Sequence, residues 1–126
     1  MATVFTNVGK GITTGRIKGV GSGAGATEPS YVAWGTGAGT AAVTDTTLFS
    51  ETGTRTLGTS TQQTTSTTND TYQVVGTISA GGALTITNAG LFDALTSGNL
   101  YMKGDFTGVA LTTGESIQFT MKVQYS

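Results

Sequence analysis

Residues 116–126 read Ser-Ile-Gln-Phe-Thr-Met-Lys-Val-Gln-Tyr-Ser. Ile117, Phe119, Met121, Val123 and Tyr125 take every second position, and Gln118, Thr120, Lys122 and Gln124 fill the places between. Successive side chains of an extended chain point to opposite faces, so the stretch is one strand with an apolar face and a wet face. Each apolar side chain is worth roughly 1.5–3 kcal/mol if fully buried. Backbone ordering offsets most of that gain, and a lone strand leaves its amides without partners. The segment therefore requires a sheet.

The preceding residues supply one. Tyr31-Val32-Ala33-Trp34, Tyr72 to Ile78, Leu84 to Thr87 and Leu100 to Phe106 read as further strands, bounded by Gly, Asn or Ser. Tyr72, Val74 and Ile78 share one face. Asn69-Asp70 and Ser97-Gly98 mark turns, and Gly81-Gly82 predicts a hairpin. Asn88-Ala89-Gly90 breaks the alternation, and Gly90 suggests a bulge or a close backbone approach. From Thr52 to Thr68 the only bulky side chains are Arg55 and Leu57, which predicts a solvent-facing or edge strand. Thr44 or Asp45 could cap a helical turn through Leu48, Phe49 and Glu51. This spacing predicts an all-β fold, a β-sandwich or jelly-roll-like body.

The N-terminal part is less regular. Thr6 or Asn7 could cap a short helix between Asn7 and Lys18 with Val8, Ile12 and Arg16 on one face, while Gly9, Gly11 and Gly15 weaken it. An extended arm is the competing reading. Gly19 to Ala26 reads as a flexible linker ended by Glu28-Pro29. With 126 residues the chain is expected to form a single domain, 1–126. Residues 1–30 are its glycine-rich arm or short helix, and 31–126 its sandwich body.

Composition narrows the function. Charged residues are 10% of the chain, against about 25% in an ordinary soluble domain, and threonine makes up roughly a fifth. Such a surface has little self-repulsion and suits contact with neighbours. The net charge is −1 and the six basic residues are scattered, apart from Arg16 and Lys18, which argues against nucleic acid as a partner. With neither histidine nor cysteine, disulfides, zinc sites and His-based catalytic triads are excluded. No apolar run approaches the roughly 20 residues of a membrane span, and Met1 to Lys10 does not read as a secretion signal. No membrane partner, metal or cofactor is expected.

The motifs that invite chemistry are weak. Gly19-Val20-Gly21-Ser22-Gly23-Ala24 nominally fits a dinucleotide loop but lacks the preceding strand and following helix, and Gly35-Thr36-Gly37 has no third glycine or P-loop lysine. Asp93 and Asp105 are the best carboxylate pair for glycoside hydrolysis, yet aspartates at strand ends usually bond local backbone. Asp70 with Asn69, or Asp93, could meet a calcium ion, without the D-x-D-x-D-G pattern. Tyr31, Trp34 or Tyr101 could stack on a sugar in a carbohydrate-binding module. A lone Trp on a short strand is more often core.

Several stretches occur in a telling order: Thr27-Glu28-Pro29-Ser30-Tyr31-Val32-Ala33-Trp34-Gly35-Thr36-Gly37, then Thr44 to Glu51, Asn88-Ala89-Gly90-Leu91-Phe92-Asp93-Ala94, Gly98-Asn99-Leu100, and Leu111 to Glu115 before the final strand. Together they resemble a family of small tailed-bacteriophage virion proteins, the capsid decoration (cement) proteins and related fibre components. The resemblance implies a β-sandwich, often trimeric, on the capsid surface of a virion assembled in the host cytoplasm. It implies the major capsid protein as partner and no catalytic residues; a tail, baseplate or fibre component is the alternative. The expected contact residues are Phe5, Ile12, Arg16 and Lys18 in the N-terminal third, draped over the shell, with Tyr31, Trp34 and Arg55 in the body.

Overall fold

The computed structural model describes residues 1–19 and 28–126, so all but the first residue of the linker expected over Gly19 to Ala26, and of the nominal dinucleotide loop, lies outside the described residues. The final strand forms as its alternation demands. It is β8, Ser116–Gln124, with Met121 and Val123 buried, Ile117 and Phe119 half-buried, and the residues between them exposed. It pairs in unbroken antiparallel register with β5, Thr71–Ser79, from Ser116 opposite Ser79 to Gln124 opposite Thr71. β5 pairs on its other side with β4, Thr59–Gln63, which completes a three-stranded sheet in the order β4-β5-β8.

The second sheet has five strands in the order β1-β7-β6-β2-β3. These are β1 (Thr3–Phe5), β2 (Tyr31–Gly35), β3 (Glu51–Leu57), β6 (Leu84–Phe92) and β7 (Leu100–Leu111). The two antiparallel sheets pack face to face around Val32, Trp34, Val74, Ile78, Ile86, Leu91 and Met121. Among the described residues the fold is an all-β sandwich with one short helix.

The N-terminus is a helix and part of the body. Helix α1, Asn7–Lys18, is capped by Thr6, whose hydroxyl accepts from Gly9 N at 2.9 Å. The same hydroxyl donates to Leu100 O on β7. Gly19 ends the helix in the left-handed conformation at φ 79°, its amide donating to Gly15 O. Arg16 and Lys18 lie in the last turn, where cations suit the helix dipole. Gly9 weakens the helix in isolation but is required in place. A Cβ there would lie 2.3 Å from Tyr101 O, so only glycine lets α1 rest on β7. An extended arm over residues 3–18 is thus replaced by β1, paired with β7, and by α1, whose Ile12 reaches the core.

Two further expectations are corrected, and the one at Gly90 is met. Gly81-Gly82 makes no hairpin: it carries the chain from β5 in one sheet to β6 in the other. That corner is held by Ala80 N donating to Glu115 O and Gly114 N donating to Ala80 O. No helical turn forms over 45–51, because the Asp45 carboxylate is taken by Ala42 N and Lys103 instead of capping a helix. Residues 84–92 form one strand, and its broken pattern has a cause. An irregularity between Ile86 and Asn88 turns Thr87 and Asn88 to the same side, while Gly90 permits the close approach of Met102 O, 2.6 Å from where a Cβ would sit.

Candidate functional site

Residues 36–50 run across the face of the five-stranded sheet that points away from its partner sheet, and the side chains Thr87 and Asn88 hold them there. Asn88 is fully buried and exchanges two hydrogen bonds with the backbone of Phe49, each 3.0 Å, as a neighbouring strand would. The Thr87 hydroxyl donates to Gly37 O. Lys103, 1% exposed, donates to Asp45 Oδ2 at 2.9 Å and Thr47 O at 2.8 Å, and lies 3.2 Å from the centre of the Phe49 ring. Asp105 accepts from Ala41 N and Ala2 N. The Lys103 contact lowers the Asp45 pKa, and the Ala41 amide lowers that of Asp105.

The other candidate carboxylates are likewise occupied. Asp93 accepts from Asn99 N and Asn99 Nδ2 and closes the turn between β6 and β7. Asp70 accepts amides from Thr65, Ser66 and Thr67, which depress its pKa strongly, the Thr67 amide most. A site ringed by N–H donors favours an anion's charge and does not suit calcium. The β6–β7 register sets Asp105 opposite Asn88, five residues before Asp93. At about 3.3 Å per residue that is roughly 16 Å of strand, beyond a glycosidase pair. Among the described residues no group of three acidic side chains gathers to hold a metal ion.

The expected contact residues scatter. Ile12 (1% exposed) and Trp34 (2%) are core. Phe5 is half-buried against Tyr101, ring centroids 4.9 Å apart. Tyr31 packs on Ala33, Leu48, Phe92 and Leu100, on the opposite face of β2 from Trp34, so the two never make one sugar-stacking platform. Arg55 bonds Glu51, donates to Ala94 O and Ser97 O, and lies 3.5 Å from the Phe92 ring centre, which pins the β6–β7 turn. Arg16 and Lys18 are exposed on α1.

Two concave surfaces stand out among the described residues. One is a cleft of about 390 Å³ between α1 and the end of the sandwich, walled by Ile12, Thr13, Arg16, Ile17, Glu28, Pro29, Tyr72, Tyr101 and Tyr125. A bulge at Tyr101, which has no partner between Leu91–Met102 and Phe92–Leu100, brings that ring inward beside Met102. Its hydroxyl meets those of Tyr125 and Thr13, while Tyr72 donates to Glu28 Oε1 and Pro29 O. Burial above all raises the pKa of Tyr72 and Tyr101, so both phenols stay protonated as donors.

The other is a groove of about 340 Å³ between the edges of the two sheets, where Ala89, Met102, Phe106, Phe119 and Met121 meet the rims Thr3, Thr120 and Lys122. Phe106 and Phe119 have ring centroids 6.3 Å apart. Phe106 and Phe119 pack against the core yet stay only half-buried at this seam, while Ala89, Met102 and Met121 are buried. The alternation of residues 117–125 marks Phe119 as inward, but nothing in it says that β8 ends a sheet. The gathering of Tyr72, Tyr101 and Tyr125 has no local signal either, since 29 and 24 residues separate them in sequence.

A family model described as "Podophage GP4 fiber I protein gp80" matches residues 17–123. No curated protein and no solved structure matches the chain.

Proposed function

Because this chain belongs to the podophage GP4 fiber I protein gp80 family, it is a structural protein of the phage virion, and we propose that its place in the particle is a fibre. The observation that carries the reading is the extent of the match, from within α1 to the penultimate residues of β8. It favours the fibre over decoration of the capsid surface, which shares the same sandwich architecture.

The fibre module works by contact. It has no histidine or cysteine, and Asp45, Glu51, Asp70, Asp93, Asp105 and Glu115 all bond to other groups of the fold. This supports a role without catalysis, metal or cofactor. Low charge and a rigid sandwich suit packing against other virion chains and other copies of itself, where many weak contacts add through high effective concentration. Quantifying the chain per particle by mass spectrometry, with gold-labelled antibody on intact virions, tests the location. A fibre component is present in tens of copies or fewer and labels projections. Hundreds of copies spread over the head would instead establish decoration.

A further inference from the structure

The cleft beside α1 has walls of aromatic rings that the fold holds in place. Tyr72 and Tyr101 stand edge to face, 81° between planes with centroids 5.8 Å apart. Phe5 packs on both Tyr101 and Tyr125, at 4.9 and 5.9 Å, and so fixes those two rings. A second hollow of about 230 Å³ shares Glu28 and Tyr72 with the cleft, and Ser60, Thr61 and Gln62 of β4 line the rest of it. The two together form a longer site with an aromatic end and an end of hydroxyls and an amide. A volume of about 390 Å³ for the cleft alone lies in the range of small-molecule sites.

The hydrogen-bond inventory decides what such a site can take. Thr13 gives its hydroxyl proton to Gly9 O at 3.2 Å, and the Tyr101 and Tyr125 protons are used between those phenols and Thr13. Tyr72 has one proton for two acceptors, and Pro29 O at 2.8 Å is nearer than Glu28 Oε1 at 3.2 Å. The exposed Glu28 carboxylate therefore keeps lone pairs for a donor from outside. Charge narrows the choice further, because Arg16 and Glu28 both line the cleft. An anion would meet the carboxylate and a cation the guanidinium, whereas an uncharged ligand meets neither repulsion. We infer that this cleft binds a neutral saccharide: a sugar ring lays its apolar C–H face on the tyrosines, donates a hydroxyl to Glu28, and is followed by a second unit toward Ser60 and Gln62. The inference stands on the cleft and is separate from the location of the protein in the particle.

Maltotriose, cellotriose and chitotriose, titrated into the purified full chain by calorimetry and saturation-transfer NMR, test it. At least one is expected to bind saturably, with a Kd of about 1 mM or tighter. Glu28→Gln is expected to weaken that binding about tenfold, the worth of one hydrogen bond to a charged group. Tyr125→Ala removes the exposed aromatic wall and weakens it about as much. Val109→Ala, exposed on β7 and outside both hollows, binds as the parent does. All three altered side chains are exposed, so the variants keep the parent circular dichroism spectrum. Failure of all three sugars to bind overturns the inference, as does binding that Glu28→Gln and Tyr125→Ala leave unchanged. Choline or sialyllactose binding more tightly than every neutral sugar overturns it too, since the site would then select a charge.

Discussion

The two flanks of the sandwich solve one problem in opposite ways. On one flank β3 leaves the five-stranded sheet at Leu57 and, after a single residue, becomes β4 of the other sheet. That residue, Gly58, donates to Ser30 O, and a Cβ on it would lie 2.5 Å from Val74 Cγ1. The crossing seals the flank with the chain itself, so threonines can cover it. On the other flank β7 and β8 belong to different sheets and part company after the 112–115 turn, leaving phenylalanines at the seam. A sealed flank needs only solvent outside it. An unsealed one carries apolar area that a neighbour can remove from water.

The contrast can be tested from the centre outward. Trp34 spans both halves, buried on β2 and edge-on to Phe119 with centroids 6.5 Å apart. Trp34→Ala is expected to cost about 3–5 kcal/mol in urea unfolding; a neutral result would return Trp34 to the surface. Gly58→Val attacks the sealed flank, and overpacking against Val74 is expected to cost about 1–3 kcal/mol. An unchanged midpoint would mean that the crossing tolerates a side chain. Phe119→Ala attacks the open flank, where the ring is half-buried, and is expected to cost roughly 1–2 kcal/mol, below the full-burial value.

The smallest effect is on pH. Asp45, Asp70, Asp105 and Glu115 have pKa values lowered by hydrogen bonds in the folded chain. The unfolded chain binds those protons first, so their stabilisation is complete above about pH 5 and declines as acid titrates them. Tyr72 and Tyr101 are shifted upward, so their contribution is complete below about pH 10 and falls as the pH rises. Urea midpoints across this range should form a plateau with two falling limbs. Asp70→Asn should flatten the acid limb; a limb of unchanged slope would remove Asp70 from the account.

Much of the architecture is legible because strands announce themselves by period two. Residues 117–123 and 72–78 become strands with the expected inward face, and 31–34 becomes a strand as expected. The threonine-rich stretch lies at edges, as side chains unable to fill a core require, although it divides into β3 and β4 at Gly58. Gly81-Gly82 misleads because a glycine pair permits a tight reversal without requiring one. Whether the next strand returns beside β5 or crosses to the other sheet depends on Ala80, Gly114 and Glu115, of which two are more than thirty residues away. Lys103 and Asn88 read as ordinary polar residues of a strand. Their burial exists only because residues 36–50 fold over them.

From the residues alone follow the sheet character, the apolar faces of β5 and β8, and Thr6 or Asn7 as candidate caps of a short helix. Those properties are local, fixed by spacing within a few residues. Which strands stand at the edges, which tyrosines converge and where the sandwich stays open are decided by pairings across the whole chain. Strand order depends on contacts between distant segments, and the period of a strand is the same in the middle of a sheet as at its rim.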